Sequence, residues 1–409
     1  MTPSRLLPAL LCLAIGSQAL AADLPPVSER ASRVHASGML FDGHNDLPWK
    51  LRELGDVTFS KIDISKRLES TQTDIPRARQ GGLKAQFWSV YIPSNQANPA
   101  RTVTDQIDLV HRMVERYPDD LELALSADDV ERIVKAGKIA SLIGMEGGVA
   151  IEGDLAMLRG FYRQGARYMT LTHNVTLPWA DAATDAPQHD GLTPFGERVV
   201  AEMNRMGMLV DLSHVSPGTM DDALRVSKAP VIFSHSSAFA KCPVPRNVPD
   251  PILKRLTANG GVVMVNFYSG FIVPDAAKQM AAARRELKDK YPDPKEYAKA
   301  LEAWYDANPL PRGTLADVAD HIDHLVKTAG IDHVGIGSDF DGINASPVGL
   351  EDVSCFPRLT EELLKRDYSE EDVHKILGGN VLRVFRAAGQ VAEQLRKTTA
   401  PEVDQPMSD

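Results

Sequence analysis

At 409 residues and 43% apolar side chains, the chain is long enough for one large barrel or two ordinary domains and can build a real core, which excludes disorder. The net charge of -10 comes without any basic run dense enough to follow a phosphate backbone, which excludes nucleic acid as a partner. After the N-terminus no segment is apolar for the ~20 residues a bilayer span requires, so the mature protein is expected to be soluble.

Arg5, the apolar run Leu6 to Ile15 and the small residues Ala19-Leu20-Ala21-Ala22 form a positive start, a hydrophobic region and a cleavage site. Residues 1–22 are therefore set aside as a signal peptide, and the mature chain is expected in a periplasm or outside the cell. Of the three cysteines, Cys12 falls in that leader and follows Leu11, where lipoprotein processing favours a small residue. Cys242 and Cys355 remain, and their spacing does not decide whether they pair.

The first strand ends in Phe41-Asp42-Gly43-His44-Asn45-Asp46, where strand alternation would point His44 and Asp46 the same way. Leu51 to Gln80 is polar and mixed and predicts a long loop that folds over a site. Gly81-Gly82 introduces a second strand over Leu83 to Tyr91, and helices are expected over Thr102 to Tyr117 and Ser126 to Ala136. Ile139 to Glu146 is the third strand, Asp154 to Gln164 a helix and Tyr168 to His173 the fourth strand. Thr193-Pro194 caps a helix that Gly207 closes, before a fifth strand over Met208 to His214. Ser216-Pro217 caps the next helix, Val231 to His235 is strand six, Asp250-Pro251 opens a further helix, and Val262 to Phe267 is strand seven. Residues 274–313 are charged and Ala-rich and predict an inserted pair of solvated helices rather than a second domain. Thr314 caps a helix ended by Gly330, Val334 to Asp339 is strand eight, Glu370 to Ala388 is helical, and a polar tail spans residues 401–409.

Eight strands alternating with helices predict an α/β fold, a (β/α)8 TIM-type barrel with a helical insertion between strands 7 and 8, occupying residues 23–400 as one domain. A doubly wound open sheet is the alternative arrangement of the same elements. The polar residues at the strand ends all fall at C-terminal ends, the face on which such barrels carry chemistry. His44, Asp46, Glu146, His214 and His235 supply the nitrogen and oxygen ligands of a two-metal site. Glu146 suits the bridge, because a carboxylate offers two oxygens and Gly147-Gly148 lets backbone and metals approach closely. His44 and Asp46 would hold one ion and His214 and His235 the other; the ions would share a water and present hydroxide to a carbonyl carbon.

Several longer motifs carry a resemblance. Phe41 to Pro48, Gln72-Thr73-Asp74-Ile75-Pro76-Arg77, Gln86-Phe87-Trp88-Ser89-Val90, Met145-Glu146-Gly147-Gly148 and Leu171-Thr172-His173-Asn174 appear in order. They are followed by Asp211-Leu212-Ser213-His214, Phe233-Ser234-His235-Ser236, Arg246-Asn247-Val248-Pro249-Asp250, Gly337-Ser338-Asp339-Phe340-Asp341-Gly342 and Leu377-Gly378-Gly379-Asn380. Together they resemble the membrane (renal) dipeptidase family across nearly the whole mature chain.

The resemblance implies a binuclear zinc hydrolase that splits free dipeptides and tolerates a D-residue at the C-terminal position. It implies two zinc ions on His44, Asp46, Glu146, His214 and His235, with Glu146 bridging. It places His173 at the substrate carbonyl, Arg246 on the substrate's terminal carboxylate and Asp339 in proton transfer, and it sets Tyr268 beside the site. A homodimer is implied as well. Mammalian members carry a lipid anchor near the C-terminus; this chain has no apolar tail there, so a protein without a membrane anchor is expected. Read without the resemblance, Arg246 would brace a proline-rich loop, Asp341 competes with Asp339, and His321 and His324 lie on a solvated helix face. Two further functions remain open: hydrolysis of another amide, lactam or ester on the same barrel, and a metal-containing binding protein that has lost catalysis. The presence of all five ligands and Asp339 argues against the latter.

Overall fold

The computed structural model describes residues 25–401 apart from Asn95, so the leader and most of the polar tail lie outside the described residues. Nine parallel strands run in chain order: β1 Leu40–Asn45, β2 Leu83–Tyr91, β3 Leu121–Leu123, β4 Ile139–Glu146, β5 Ala166–Thr170, β6 Leu209–Asp211, β7 Ile232–Phe233, β8 Val262–Val265 and β9 Val334–Ile336. Eight of them close a barrel, because β1 pairs with both β2 and β9 while β2 pairs with β4. The expected (β/α)8 architecture is therefore the observed one.

β3 is an addition that the sequence pattern does not reveal. It pairs with the first residues of β4, Leu121 opposite Ile139, and leaves the rest of β4 to pair with β5. Three residues are too few to display an alternation. The N-terminal helix Glu29–Ser37, capped by the Ser28 side chain, also goes beyond the sequence reading. The segment 51–80 is only partly a loop: Leu47–Glu53 and Ile75–Gln80 are helical, and Asp74 caps the second of these through Arg77 N.

The inside of the barrel is apolar at its lower end and turns polar at the top. Along β4, Ala140 and Leu142 belong to an inner cluster with Phe41, Phe87 and Tyr168, which the last helix, Asn380–Thr398, meets through Val381 and Phe385. Two residues on, Gly144 leaves room for the Tyr168 ring, since a Cβ there would lie 2.1 Å from it. Two residues further, the same face of the strand presents Glu146. A larger apolar layer, including Ile107, Phe161, Val199 and Leu253, fills the space between strands and outer helices.

The insertion between the seventh and eighth barrel strands is a helical pair, Pro274–Lys290 and Pro294–Ala307. Its first helix is not solvated all round but buries Met280, Ala283 and Leu287. His321, expected in solvent, is buried: its Nδ1 accepts from Ala238 N at 3.0 Å and its Nε2 faces Ile272 O at 3.1 Å. The apolar face of that helix is broader than Val318, Ile322 and Leu325 suggested, and it includes position 321. His324 is half-buried and meets Asp250 at 2.8 Å. Cys242 and Cys355 are both free thiols.

Candidate metal centre

Glu146, the last residue of β4, stands at the middle of the cluster. Its Oε2 lies 3.3 Å from His44 Nε2, and its Oε1 lies 3.1 Å from His214 Nε2 and 3.6 Å from His235 Nε2. His44 Nε2 is also 3.3 Å from Asp46 Oδ2 and 4.0 Å from Asp339 Oδ1. The structure thus brings together all five sequence-predicted ligands and Asp339, and all six are buried.

Each group reaches this point by its own local device. His44 is the next-to-last residue of β1, where a register irregularity between Asp42 and Asn45 re-aims the strand. Asp46 is not a strand residue; it sits at φ -95° and ψ 18° at the start of the helix Leu47–Glu53. Its meeting with His44 is a turn geometry rather than the simple strand alternation the spacing suggests. His214, His235 and Asp339 likewise lie two or three residues beyond the paired strands, and His214 and Asp339 have positive φ of 68° and 65°. Asp42 holds the end of β9 against β1 by accepting from Ser338 N at 2.7 Å and Ser338 Oγ at 2.6 Å.

Hydrogen bonds behind the imidazoles set which nitrogen faces the centre. Ser234 Oγ donates to Asp211 Oδ2 at 2.6 Å, so at 2.8 Å it is left to accept from His235 Nδ1–H. The His235 Nε2 lone pair then points inward, as a ligand requires. His44 Nδ1 meets the Tyr168 hydroxyl at 2.8 Å in the same way, which leaves Nε2 buried with no hydrogen-bond partner. Ser89 Oγ donates to Glu146 Oε2 at 3.1 Å, and Asn266 Nδ2 to Asp339 Oδ2 at 2.8 Å. Ser89, Tyr168 and Asn266 escape sequence reading because they carry no ligand chemistry of their own; only Asn266, just past β8, had a strand-end position as a signal.

Burial dominates the electrostatics. It holds His214 and His235 well below the usual imidazole range, with Arg246 adding to the effect in both, so both are neutral at physiological pH. For Glu146 burial acts upward, but the attraction of the nearby His44 and the close approach of His214 outweigh it and hold the carboxyl well below its usual range. Asp339 is raised to about 8, first by burial, with Asp46 and Glu146 adding repulsion against the opposing pull of His44.

The donor set fits divalent ions. His214 Nε2 and His235 Nε2 lie 2.9 Å apart, facing each other. Two nitrogens about 2.1 Å from one tetrahedral ion would stand roughly 3.4 Å apart, so a small opening of this pair admits one. Among the described residues, triads within 4.8 Å are His44 with Glu146 and His235, Glu146 with His173 and His214, and His44 with Asp46 and Asp339. His173 Nε2 lies 3.7 Å from Glu146 Oε1, the longest of the imidazole contacts to that oxygen, and its ring packs on Tyr91 at 4.9 Å. Above the cluster opens a pocket of about 400 Å³, lined by His173, Arg246 and Tyr268 among others. Arg246 is buried, lies 5.2 Å over the Phe271 ring, and among the described residues makes only long bonds to Ser236 Oγ (3.5 Å) and His235 O (3.4 Å).

Comparison with known proteins agrees with this geometry. The model of the membrane dipeptidase family, peptidase family M19, matches residues 28–399. The chain belongs to this family. Mouse Dipeptidase 3 is 41% identical over 389 residues, covering 93% of this chain and 71% of the relative. A probable dipeptidase, PvdM, of Pseudomonas aeruginosa superposes with a TM-score of 0.79 at 26% identity, covering 89% of this chain and 98% of that one. A metallopeptidase of Rhodobacter sphaeroides, solved with a phosphinate mimic of the dipeptide L-Ala-D-Ala, gives 0.70 at 25% identity over 86% and 99% of the two chains. The chain is therefore a metallodipeptidase, a hydrolase on a TIM-type barrel. Among the described residues no helix is long and apolar enough to cross a membrane.

Proposed function

We propose that this dipeptidase is a binuclear zinc enzyme in which His44 and Asp46 hold one ion, His214 and His235 the other, and Glu146 bridges them. The observation that carries the reading is Glu146, whose two oxygens face different imidazoles, His44 on one side and His214 with His235 on the other. A nitrogen and carboxylate set of this kind suits zinc. Bound there, two such ions would lower the pKa of a water they share and polarise the scissile carbonyl.

The remaining roles belong to the chain's own side chains. Asp339, anchored through Oδ2 by Asn266 and brought back to its ionised form by the charge of the bound cations, takes the proton of the attacking water and returns it to the leaving amine. His173, held neutral by burial with a pKa of about 4, donates Nε2–H to the carbonyl oxygen as charge develops on it. Arg246 binds the substrate's terminal carboxylate, and Tyr268 walls the pocket beside it. The cavity volume suits a dipeptide. Tolerance of a D-residue at the C-terminal position is part of the proposal, supported by the L-Ala-D-Ala mimic bound to the Rhodobacter relative. Export of the mature chain and a homodimer belong to it too, on the strength of the leader-like residues 1–22 and the family resemblance.

The test is hydrolysis of L-Ala-L-Ala and L-Ala-D-Ala, with an N-blocked dipeptide as control, by zinc-loaded and chelator-treated protein. Zinc-dependent cleavage of both free dipeptides is expected. Full activity after chelation would end the metal reading, and cleavage of the L,L form alone would end the D-tolerance.

A further inference from the structure

The helical pair between β8 and β9 delivers to the pocket a residue that the reaction just described leaves unused. Its first helix buries Ala277, Met280 and Leu287, and Arg284 falls on the same stripe, seven residues after Ala277 and four after Met280. The other cations of this helix, such as Lys278, Arg285 and Lys288, are exposed; Arg284 is half-buried and lines the pocket together with Tyr305 of the second helix. Arg284 Nε is buried without an acceptor, and among the described residues the side chain has no acidic partner.

Its seat is built into the fold. Met280 shares an apolar cluster with Tyr268 and Phe271, and a Cβ on Gly270 would come within 3.2 Å of Met280 Sδ, so the helix lies tight against this wall. Arg246 lies over Phe271 on the same wall. The two guanidinium groups repel, and the charge of Arg284 is one of the influences that, after burial, lower the pKa of Arg246. Two cations that line one pocket, Arg284 without an acidic partner of its own among the described residues, complement a ligand end that carries two anionic groups.

We propose that Arg284 binds a second carboxylate beside the one held by Arg246, so that the pocket selects dipeptides whose C-terminal residue is aspartyl or glutamyl. This rests on the reading of Arg246 as the clamp for the terminal carboxylate. An acidic side chain supplies the acceptor that Arg284 Nε lacks and separates the two positive charges. A glutamine of the same shape offers Arg284 Nε an amide oxygen but no charge to offset the two cations, so its bond is the weaker neutral kind.

The experiment compares kcat/KM for L-Ala-L-Glu and L-Ala-L-Gln in the zinc-loaded wild type, in R284M and in R284Q, with L-Ala-L-Ala as a reference substrate. The wild type is expected to prefer the glutamyl dipeptide at least about tenfold, the scale of one charge-assisted hydrogen bond. In both variants the preference collapses towards unity. A wild-type ratio near one overturns the proposal without any variant, and so does a preference that survives both substitutions. Failure of the wild type to cleave any of the three dipeptides would instead strike at the dipeptidase reading beneath it.

Discussion

Replacing Arg246 by methionine separates substrate binding from metal binding and from folding. Burial lowers the Arg246 pKa from the usual guanidinium range to about 10, and its contacts among the described residues are two long hydrogen bonds and a ring face. That shift corresponds to a cost on the order of 3 kcal/mol for holding the charge in the pocket. A bound carboxylate would recover most of it, so the clamp is worth roughly a hundredfold in affinity. In R246M, KM for free dipeptides is expected to rise by about that factor while zinc content stays at the wild-type level. The wild type should discriminate strongly against a dipeptide with an amidated C-terminus, and R246M should treat the free and amidated forms nearly alike. Because the variant also removes a poorly paired buried charge, its thermal midpoint should equal or exceed that of the wild type. Steady-state kinetics on the two substrates, with metal analysis and a thermal melt, read all of these. An unchanged KM, or discrimination against the amide that persists in R246M, would refute the clamp.

Asp339→Asn is expected to lower kcat by about 10²–10⁴ at unchanged zinc content, the range of general acid–base catalysis; retained turnover would remove Asp339 from proton transfer. His321 is buried with its pKa lowered to about 4, chiefly by desolvation, whereas an unfolded chain returns it to about 6.5. The unfolded state therefore binds the extra proton first, and the stability His321 contributes is complete above about pH 6.5 and drains away as pH falls towards 4, by up to roughly 3 kcal/mol. H321Q should be less stable at neutral pH yet lose less stability across that window, and a parallel pH dependence in denaturant melts would contradict this. Arg77 is buried, with Nε 2.7 Å from Asp74 Oδ2 and Nη1 3.1 Å from Asp352 Oδ2. Removing it in R77A takes the cation from both carboxylates, which keep their backbone and serine donors, and should cost about 3–5 kcal/mol in urea unfolding; a loss below 1 kcal/mol would show that the network is dispensable.

Barrel order was legible because each strand is a short apolar run that ends in a polar residue, and the helices between them carry capping prolines and closing glycines. The limits of those strands were not. Apolar patterning extends β6 to His214, but strand pairing stops at Asp211: Leu212 N still donates to Ile232 O, whereas Ser213 N turns to Asp211 Oδ1 and His214 takes a positive φ. The ligand types could be named in advance, since few residues bind metals and the longer motifs fixed their order. The groups that orient them could not: Tyr168 touches His44 across 124 positions of sequence, and nothing in its own neighbourhood announces the contact. His321 was misread because a helix face was judged by its aliphatic residues alone. Arg284 was invisible for the converse reason, as a cation on a charged helix looks solvated until the surface that covers it is known. The Gln72 to Arg77 motif turns out to be a clasp: Gln72 N donates to Asp341 Oδ1 at 2.7 Å and Asp341 N donates back to Gln72 Oε1 at 2.7 Å, steadying the loop that carries Asp339.

The most direct test of the central claim is the metal content of the purified protein and of Glu146→Gln, measured by elemental analysis after zinc loading and exhaustive dialysis. If Glu146 bridges, the wild type carries two zinc ions per chain and E146Q carries fewer than one while keeping its fold by circular dichroism. Two ions retained in E146Q, or a single ion in the wild type, would contradict the bridged pair.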